Sequence, residues 1–170
     1  MFGDPNVSDL KLRYFDPTLS FVDDRITKGI IECLMLRRAK VTIYNAGDKD
    51  SLGKDSELAA TLAQGKPVIA YVREGANFDR RAKMFRADHP LGLQIDVNTG
   101  VAHGVLVVRT PAQCAKMLRA LMTHTLDLEV RHEGGNYQLV EKETESVLRV
   151  VSDDPLLTHS FWTFFNHNDH

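Results

Sequence analysis

The chain has 170 residues, and its 21 Lys and Arg residues against 23 Asp and Glu residues give a formal net charge of −2. This length fits a single domain, residues 1–170, and the charge balance leaves no basic surplus for binding nucleic acid. Hydrophobic residues make up 43% of the chain, which is enough for a buried core. No apolar run approaches the roughly 20 residues of a membrane helix. The first residues lack the basic and apolar runs of a secretory signal, so we expect a cytoplasmic protein.

Short β-rich runs alternate with longer helical patterns in the first half of the chain, which indicates βα units. The predicted strands are residues 10–15, 40–44 and 68–72. A helix is predicted after Asp23 and Asp24, either of which can serve as its N-cap. Its apolar face, which we expect to lie on the sheet, consists of Ile26, Ile30, Ile31, Leu34 and Met35. A second helix ends at Gly65, and its apolar stripe consists of Leu58, Ala59, Leu62 and Ala63.

The second half of the chain predicts one more βα unit, a β-hairpin and a final strand. Residues 104–109 are the strand of this unit, and Thr110 and Pro111 are the N-cap and first residue of its helix. A turn signal at residues 133–136 predicts the hairpin, and residues 147–151 are the last strand. Residues 156–165 are expected to form an aromatic helix. We therefore predict an α/β fold, flavodoxin-like or TIR-like, with an open, mainly parallel sheet flanked by helices.

The cysteine and histidine positions do not suggest disulfide or metal chemistry. Cys33 and Cys114 each lie in an apolar helical pattern, where we expect a buried free thiol. The seven histidines are scattered without paired ligand spacing, so no metal site is expected. The sequence also has no G-x-G-x-x-G motif, no P-loop motif and no nucleophile elbow, which gives no support to dinucleotide-fold oxidoreductases, P-loop enzymes and acyl-transfer enzymes.

Residues 40–72 are the most informative segment, because a strand leads through a polar loop into a helix and a buried strand. Ligands of open α/β sheets bind at such junctions, outside the carboxyl ends of the strands. We expect Glu57 near the first turn of this helix, ionised, and on the flank that faces the crevice. Such a carboxylate can act as a nucleophile or stabilise an oxocarbenium-like centre. The alternative is a solvated glutamate without a chemical role.

Residues 39–72 also resemble the nucleoside 2-deoxyribosyltransferase-like superfamily and the related TIR-like domains. The resemblance rests on Ser51, Gly53, the run Ser56-Glu57-Leu58-Ala59 and the run Gly65-Lys66-Pro67-Val68-Ile69. In those families a small residue pair follows the strand, a glutamate lies on the next helix, and a G-K-P-V strand comes after it. A looser resemblance extends over residues 1–78, and residues 79–170 carry no motif of these families.

The resemblance implies cleavage or transfer at an N-glycosidic bond, with NAD or another nucleotide as substrate and no separate cofactor. It implies that Glu57 is the catalytic carboxylate at C1′ of a ribosyl group. Asp50 and Ser51 would contact sugar hydroxyls, Gly53 would belong to the same substrate-binding loop, and Asp16 would line the crevice. It further implies a homo-oligomer whose active sites are completed by a neighbouring subunit. We expect the aromatic residues 161–165 either to take part in that contact or to pack against the second half of the domain.

A basic segment follows the buried strand 68–72. Four cations lie close together in this segment: Arg80, Arg81, Lys83 and Arg86. There are two interpretations: these side chains clamp a phosphate, or they form a solvated face. The leading functional hypothesis is that the protein cleaves or transfers the N-glycosidic bond of a nucleotide, and NAD hydrolysis is the leading reaction of this kind. One alternative is a catalytically silent TIR-like module for nucleotide sensing or protein assembly, and another is a scaffold piece of a longer protein. We expect neither nucleic acid nor a membrane as a partner.

Overall fold

The computed structural model describes residues 3–16, 21–47, 51–88, 94–95 and 102–152, and these residues form a mixed α/β structure with two open sheets. The helices are α1 (Arg25–Arg38), α2 (Leu52–Leu62), α3 (Phe78–Lys83) and α4 (Pro111–Thr123), with a π-helical turn at Met84–Asp88. The strands are β1 (Thr42–Ala46), β2 (Val68–Val72), β3 (Gln94–Ile95), β4 (Ala102–His103), β5 (Leu106–Val108), β6 (Leu128–Glu133), β7 (Asn136–Glu141) and β8 (Ser146–Ser152).

The smaller sheet is parallel and has the strand order β1-β2-β5. Alternate residues of β2 pack on opposite faces: Val68, Ala70 and Val72 join a cluster with α2 and α3, whereas Ile69 packs with α4. Leu58 and Leu62 of α2 are fully buried in the first cluster, and burying each stabilises the fold by about 1.5–3 kcal/mol. The predicted strand 68–72 is therefore confirmed, with both of its faces covered.

Helix α4 begins as its sequence predicts. The Thr110 side chain accepts a hydrogen bond of 3.1 Å from the backbone N–H of Gln113, and Pro111 is the first helical residue. Cys114 is buried on the inner side of this helix, and burial raises the pKa of its thiol to about 11. The thiol therefore stays protonated at neutral pH, as expected for an inert core cysteine. The same expectation is wrong for Cys33, which is exposed on α1.

The larger sheet is antiparallel, with the order β3-β4-β8-β7-β6. The predicted hairpin is confirmed as β6 and β7, joined by Gly134 and Gly135, which both have positive φ angles, 57° and 77°. Glycine reaches such angles without the penalty that a side chain adds. The two sheets meet where the backbone N–H of Val107 donates to Ser146 Oγ at 2.9 Å. A mainly parallel sheet thus describes only the β1-β2-β5 layer.

Residues 10–15 do not form the strand that their sequence predicts. The described N-terminal segment instead makes local turns, such as the backbone bond from Leu10 N–H to the Val7 carbonyl at 3.1 Å. Val7 is only 2% exposed and packs into the α4 side of the core. Arg119 of α4 fixes the segment from outside by binding the Asp9 carboxylate at 2.6 Å. Packing against α4 therefore decides the path of this segment.

Helix α1 does not place its apolar face on the sheet, and this expectation is wrong. None of its fourteen residues is buried, and Ile26, Ile30 and Leu34 are exposed. The helix packs against α2, and its carboxyl end is held by Lys66, whose ammonium donates to the carbonyls of Leu36 and Arg37 at 2.9 and 2.5 Å. Partial packing against α2 and the Lys66 contact at its carboxyl end therefore hold α1 in place.

The predicted aromatic helix at residues 156–165 lies outside the described residues. Within the described residues, no helix is long and apolar enough to cross a membrane.

Candidate functional site

The carboxyl ends of β1, β2 and β5 lie at the same edge of the parallel sheet. The loops that follow these strands lead into α2, α3 and α4, so the amino ends of three helices gather at this edge. Crevices of this kind are where open α/β sheets bind ligands. The candidate site therefore comprises side chains of α2, of α3 and of the start of α4.

The first turn of α2 is tied to β1 by two hydrogen bonds. The Tyr44 hydroxyl donates to Asp55 Oδ1 at 2.6 Å, and the Lys54 ammonium donates to the Asn45 carbonyl at 3.3 Å. The Tyr44 ring also packs against the ring of Phe85 in the π-helical turn, and the two ring centroids are 5.2 Å apart. Sequence reasoning missed Tyr44 and Asp55, although a tyrosine inside an apolar strand calls for a polar partner for its hydroxyl.

Glu57 lies in the second turn of α2, as the sixth of its eleven residues. We expected it near the first turn, but the helix begins at Leu52, and its first-turn carboxylate is Asp55. The Glu57 side chain is partly buried on the flank toward α1. Burial raises the pKa of its carboxyl, and the nearby carboxylate of Glu32 on α1 raises it further, while Lys54 lowers it.

The Glu57 carboxylate has no hydrogen-bond or ion-pair partner among the residues that the structure describes. A charged group that is partly withdrawn from water without a partner destabilises the fold, because burial disfavours its ionised form. Carboxylates with a raised pKa and no structural partner are enriched in functional sites. The described fold therefore gives no structural reason for a partly buried, unpaired carboxylate at Glu57.

The other residues predicted to bind the substrate show no comparable arrangement. Ser51 is the N-cap of α2, but its side chain makes no capping hydrogen bond. A Cβ atom added to Gly53 would meet no atom within 4 Å, so no close approach requires glycine there. Asp16 accepts a hydrogen bond of 2.8 Å from the Tyr14 hydroxyl, two residues earlier. Asp50 lies outside the described residues.

The basic segment divides into exposed and buried residues. It forms α3 and the π-helical turn. Arg80 and Lys83 are exposed and three residues apart, so they share one side of α3. Arg81 is only 7% exposed, and its guanidinium lies 5.9 Å from the centroid of the Phe85 ring. A phosphate would therefore meet Arg80 and Lys83 on this helix, whereas Arg81 belongs to the core.

An open cleft of about 390 Å³ lies at the amino end of α4, lined in part by Asn6, Arg109, Gln113 and Lys116. The guanidinium of Arg109 stacks over the Phe78 ring at 4.4 Å from the centroid. Lys116 is paired with Glu143 at 2.5 Å. The cleft is next to β5, whereas α2 follows β1 on the other side of β2. The cleft is therefore separate from Glu57.

The described residues contain no group of three His, Cys, Asp or Glu side chains that could hold a metal ion. Comparison with protein-family models, with curated proteins and with solved structures found no match to this chain. The likeness to deoxyribosyltransferase-like and TIR-like proteins therefore rests on the residues quoted from the sequence.

Proposed function

We propose that this protein binds a nucleotide beside α2 and cleaves or transfers its N-glycosidic bond, with Glu57 as the catalytic carboxylate and NAD as the first substrate to test. One observation carries the proposal: Glu57 is a partly buried carboxylate with a raised pKa and without a partner among the described residues. It lies on a helix that starts at the carboxyl edge of the parallel sheet. The motif resemblance of residues 39–72 independently selects the same residue.

The electrostatics around Glu57 suit a reaction centre that becomes positively charged. Glu32 raises the pKa of Glu57 because its negative charge opposes the ionisation of a second carboxyl nearby. The same negative potential stabilises a cation placed beside the two carboxylates. Partial burial strengthens this attraction, because less water screens it. An oxocarbenium-like ribosyl group is such a cation.

The proposed reaction with NAD begins when the bond between C1′ and the nicotinamide nitrogen breaks. The bonding electron pair leaves with nicotinamide, which neutralises the charge of its ring, and positive charge develops at C1′. The Glu57 carboxylate stabilises this charge or forms an ester with C1′. Water then attacks C1′ and loses a proton, which gives hydrolysis; where the ester has formed, this attack breaks the bond between C1′ and the Glu57 oxygen and regenerates the carboxylate. The nitrogen of a second base in place of water gives transfer in the same way.

The test measures free nicotinamide or free base after incubation with NAD and with a panel of nucleotides and nucleosides. Glu57→Gln keeps the size of the side chain and removes its charge, so turnover should fall by about 10²-fold or more. The matched control is Glu133→Gln, which changes an exposed glutamate at the end of β6. It should leave turnover unchanged.

Two results would overturn the proposal. One is equal turnover by the parent protein and the Glu57→Gln protein. The other is nucleotide binding without any product, which would favour the silent sensing module that the sequence leaves open. A thermal melt of each variant establishes that a loss of activity is not a loss of folding.

A further inference from the structure

Helix α1 carries an apolar stripe that no described residue covers. Ile26, Ile30 and Leu34 follow one another at intervals of four residues, so they lie along one side of the helix, and they are 75%, 57% and 55% exposed. Lys28 and Glu32 form an ion pair of 3.8 Å on the other side, toward α2. The helix therefore turns this apolar stripe away from the rest of the described fold, while the Lys28–Glu32 pair, Ile31 and Leu36 are partly buried. This orientation is the reverse of that expected for a helix on a monomeric domain.

A helix without buried residues needs another source of stability. Isolated helices shorter than about 12–15 residues are marginal in water, and α1 has fourteen residues of which none is buried. A row of three large aliphatic side chains in water also opposes solubility. Both features are explained if a partner covers the stripe. We infer that the partner is a second copy of this chain, bound through an antiparallel pairing of two α1 helices around a two-fold axis at Ile30.

The spacing of the residues makes this pairing self-complementary. With the axis at Ile30, residues whose numbers add up to 60 lie opposite each other, so Ile26 of one copy meets Leu34 of the other and Ile30 meets Ile30. The same rule places Asp23 opposite Arg37 at both ends. Such isologous contacts are the usual way in which two identical chains associate.

The charges at the two ends of α1 are available for this pairing. Asp24 is occupied as the N-cap, where it accepts a hydrogen bond of 2.7 Å from the backbone N–H of Thr27. Asp23 and Arg37 are exposed, and neither has an ion-pair partner within the described part of the chain. The antiparallel arrangement also brings the negative helix end of one copy toward the positive helix end of the other. A parallel pairing would instead place Arg37 beside Arg37.

The first experiment measures the molar mass of the full chain by sedimentation equilibrium over a range of about 1–500 µM. A contact between two helices is small for a specific interface, so we expect a reversible, concentration-dependent dimer. Ile30→Glu should raise the dissociation constant by about tenfold or more, because it places two carboxylates on the axis. The matched control is Val130→Glu, since Val130 is 70% exposed on β6. It should leave the dimer intact.

Charge exchange then tests the antiparallel register. Asp23→Arg or Arg37→Asp alone places like charges opposite each other and should weaken the dimer, and the double variant should restore it. A monomeric parent protein over the whole range would overturn the inference. It would also be overturned by a dimer that survives Ile30→Glu or by a double variant no tighter than the single ones. Circular dichroism controls for folding, and because no readout involves turnover, the inference stands or falls apart from the proposed activity.

A crosslink gives a second, independent readout. In a protein that carries Cys33→Ser, Ile30→Cys puts one thiol from each copy at the axis. Mild oxidation should join two chains there, because cysteines bridge only when their Cα atoms come within about 7 Å. Ala60→Cys in the same background is the control, since Ala60 is exposed on α2. Equal crosslinking of the two variants would contradict the proposed axis.

Discussion

The Tyr44 hydroxyl on β1 donates a hydrogen bond of 2.6 Å to the Asp55 carboxylate in the first turn of α2. Tyr44 is only 6% exposed, so little water competes for this bond. The same ring packs against Phe85 of the π-helical turn. A single side chain thus joins the strand, the helix that carries Glu57 and the end of the basic segment.

Replacing Tyr44 should destabilise the protein more than removing an exposed hydroxyl does. Tyr44→Phe leaves the partly buried Asp55 carboxylate without this donor, and we expect the free energy of unfolding to fall by about 1–2 kcal/mol. The control is Tyr14→Phe, because Tyr14 makes the same kind of bond to Asp16 but is 61% exposed. Its loss should be below about 0.5 kcal/mol in urea unfolding. Equal losses would show that burial does not strengthen the Tyr44 bond.

The elements that the sequence predicts correctly are those with local causes. Residues 68–72 are apolar throughout, Thr110 and Pro111 fix the start of α4, and Gly134 with Gly135 allows the tight turn of the hairpin. In each case the decisive interaction spans only a few residues. The pattern of the sequence therefore contains the information that these elements need.

The failed predictions concern how elements pack against one another. The spacing of apolar residues in α1 identifies a helix but does not indicate which side faces α2. Likewise, the run of basic residues in α3 does not indicate that Arg81 is buried. Glu57 lies in the second turn of α2 and not near the first turn as expected, because the helix starts at Leu52, soon after β1 ends. Its pKa depends on Glu32, which is on another helix. No local pattern encodes such contacts between elements.

A phosphate role for α3 should depend on its exposed cations. We expect the double variant Arg80→Glu with Lys83→Glu to weaken nucleotide binding about tenfold at low salt and to leave nucleoside binding unchanged. Arg81 is excluded from this test, because charge reversal at a 7% exposed position would disturb the core. Titration calorimetry at two salt concentrations provides the measurement. Equal effects on nucleotide and nucleoside would argue against a phosphate contact.

Lys66 should control the stability of the carboxyl end of α1. Its ammonium donates to the carbonyls of Leu36 and Arg37. These carbonyls lie in the last turn of the helix, where no following turn supplies backbone N–H donors. Lys66→Met should therefore lower the free energy of unfolding by about 1–2 kcal/mol and speed hydrogen exchange in the last turn of α1. Lys40→Met, at an exposed position nearby, is the control. Unchanged exchange in the Lys66 variant would mean that other contacts hold the helix.

Glu57 should reduce stability at neutral pH, and the sign follows from the direction of its pKa. Burial and Glu32 raise this pKa above its usual value of 4.5, so the folded protein binds the proton more tightly than the unfolded chain does. The resulting destabilisation is absent well below pH 4.5, develops as the pH rises from there through the folded pKa, and is complete above it. Glu57→Gln should therefore stabilise the protein at pH 7 and have no effect near pH 3.5.

The opposite sign is expected at Glu145, where hydrogen bonding to Arg131 lowers the pKa of the carboxyl. Glu145 contributes stability above its unfolded pKa, and this contribution disappears as the pH falls through the folded pKa. Glu145→Gln should therefore lower the melting temperature at pH 7, whereas Glu57→Gln should raise it. Melts of both variants and the parent protein at the two pH values make the comparison. A glutamate that destabilises its own fold is consistent with retention for a chemical role. If Glu57→Gln instead lowered the melting temperature at pH 7, Glu57 would be a structural residue, and the argument for its catalytic role would lose its physical basis.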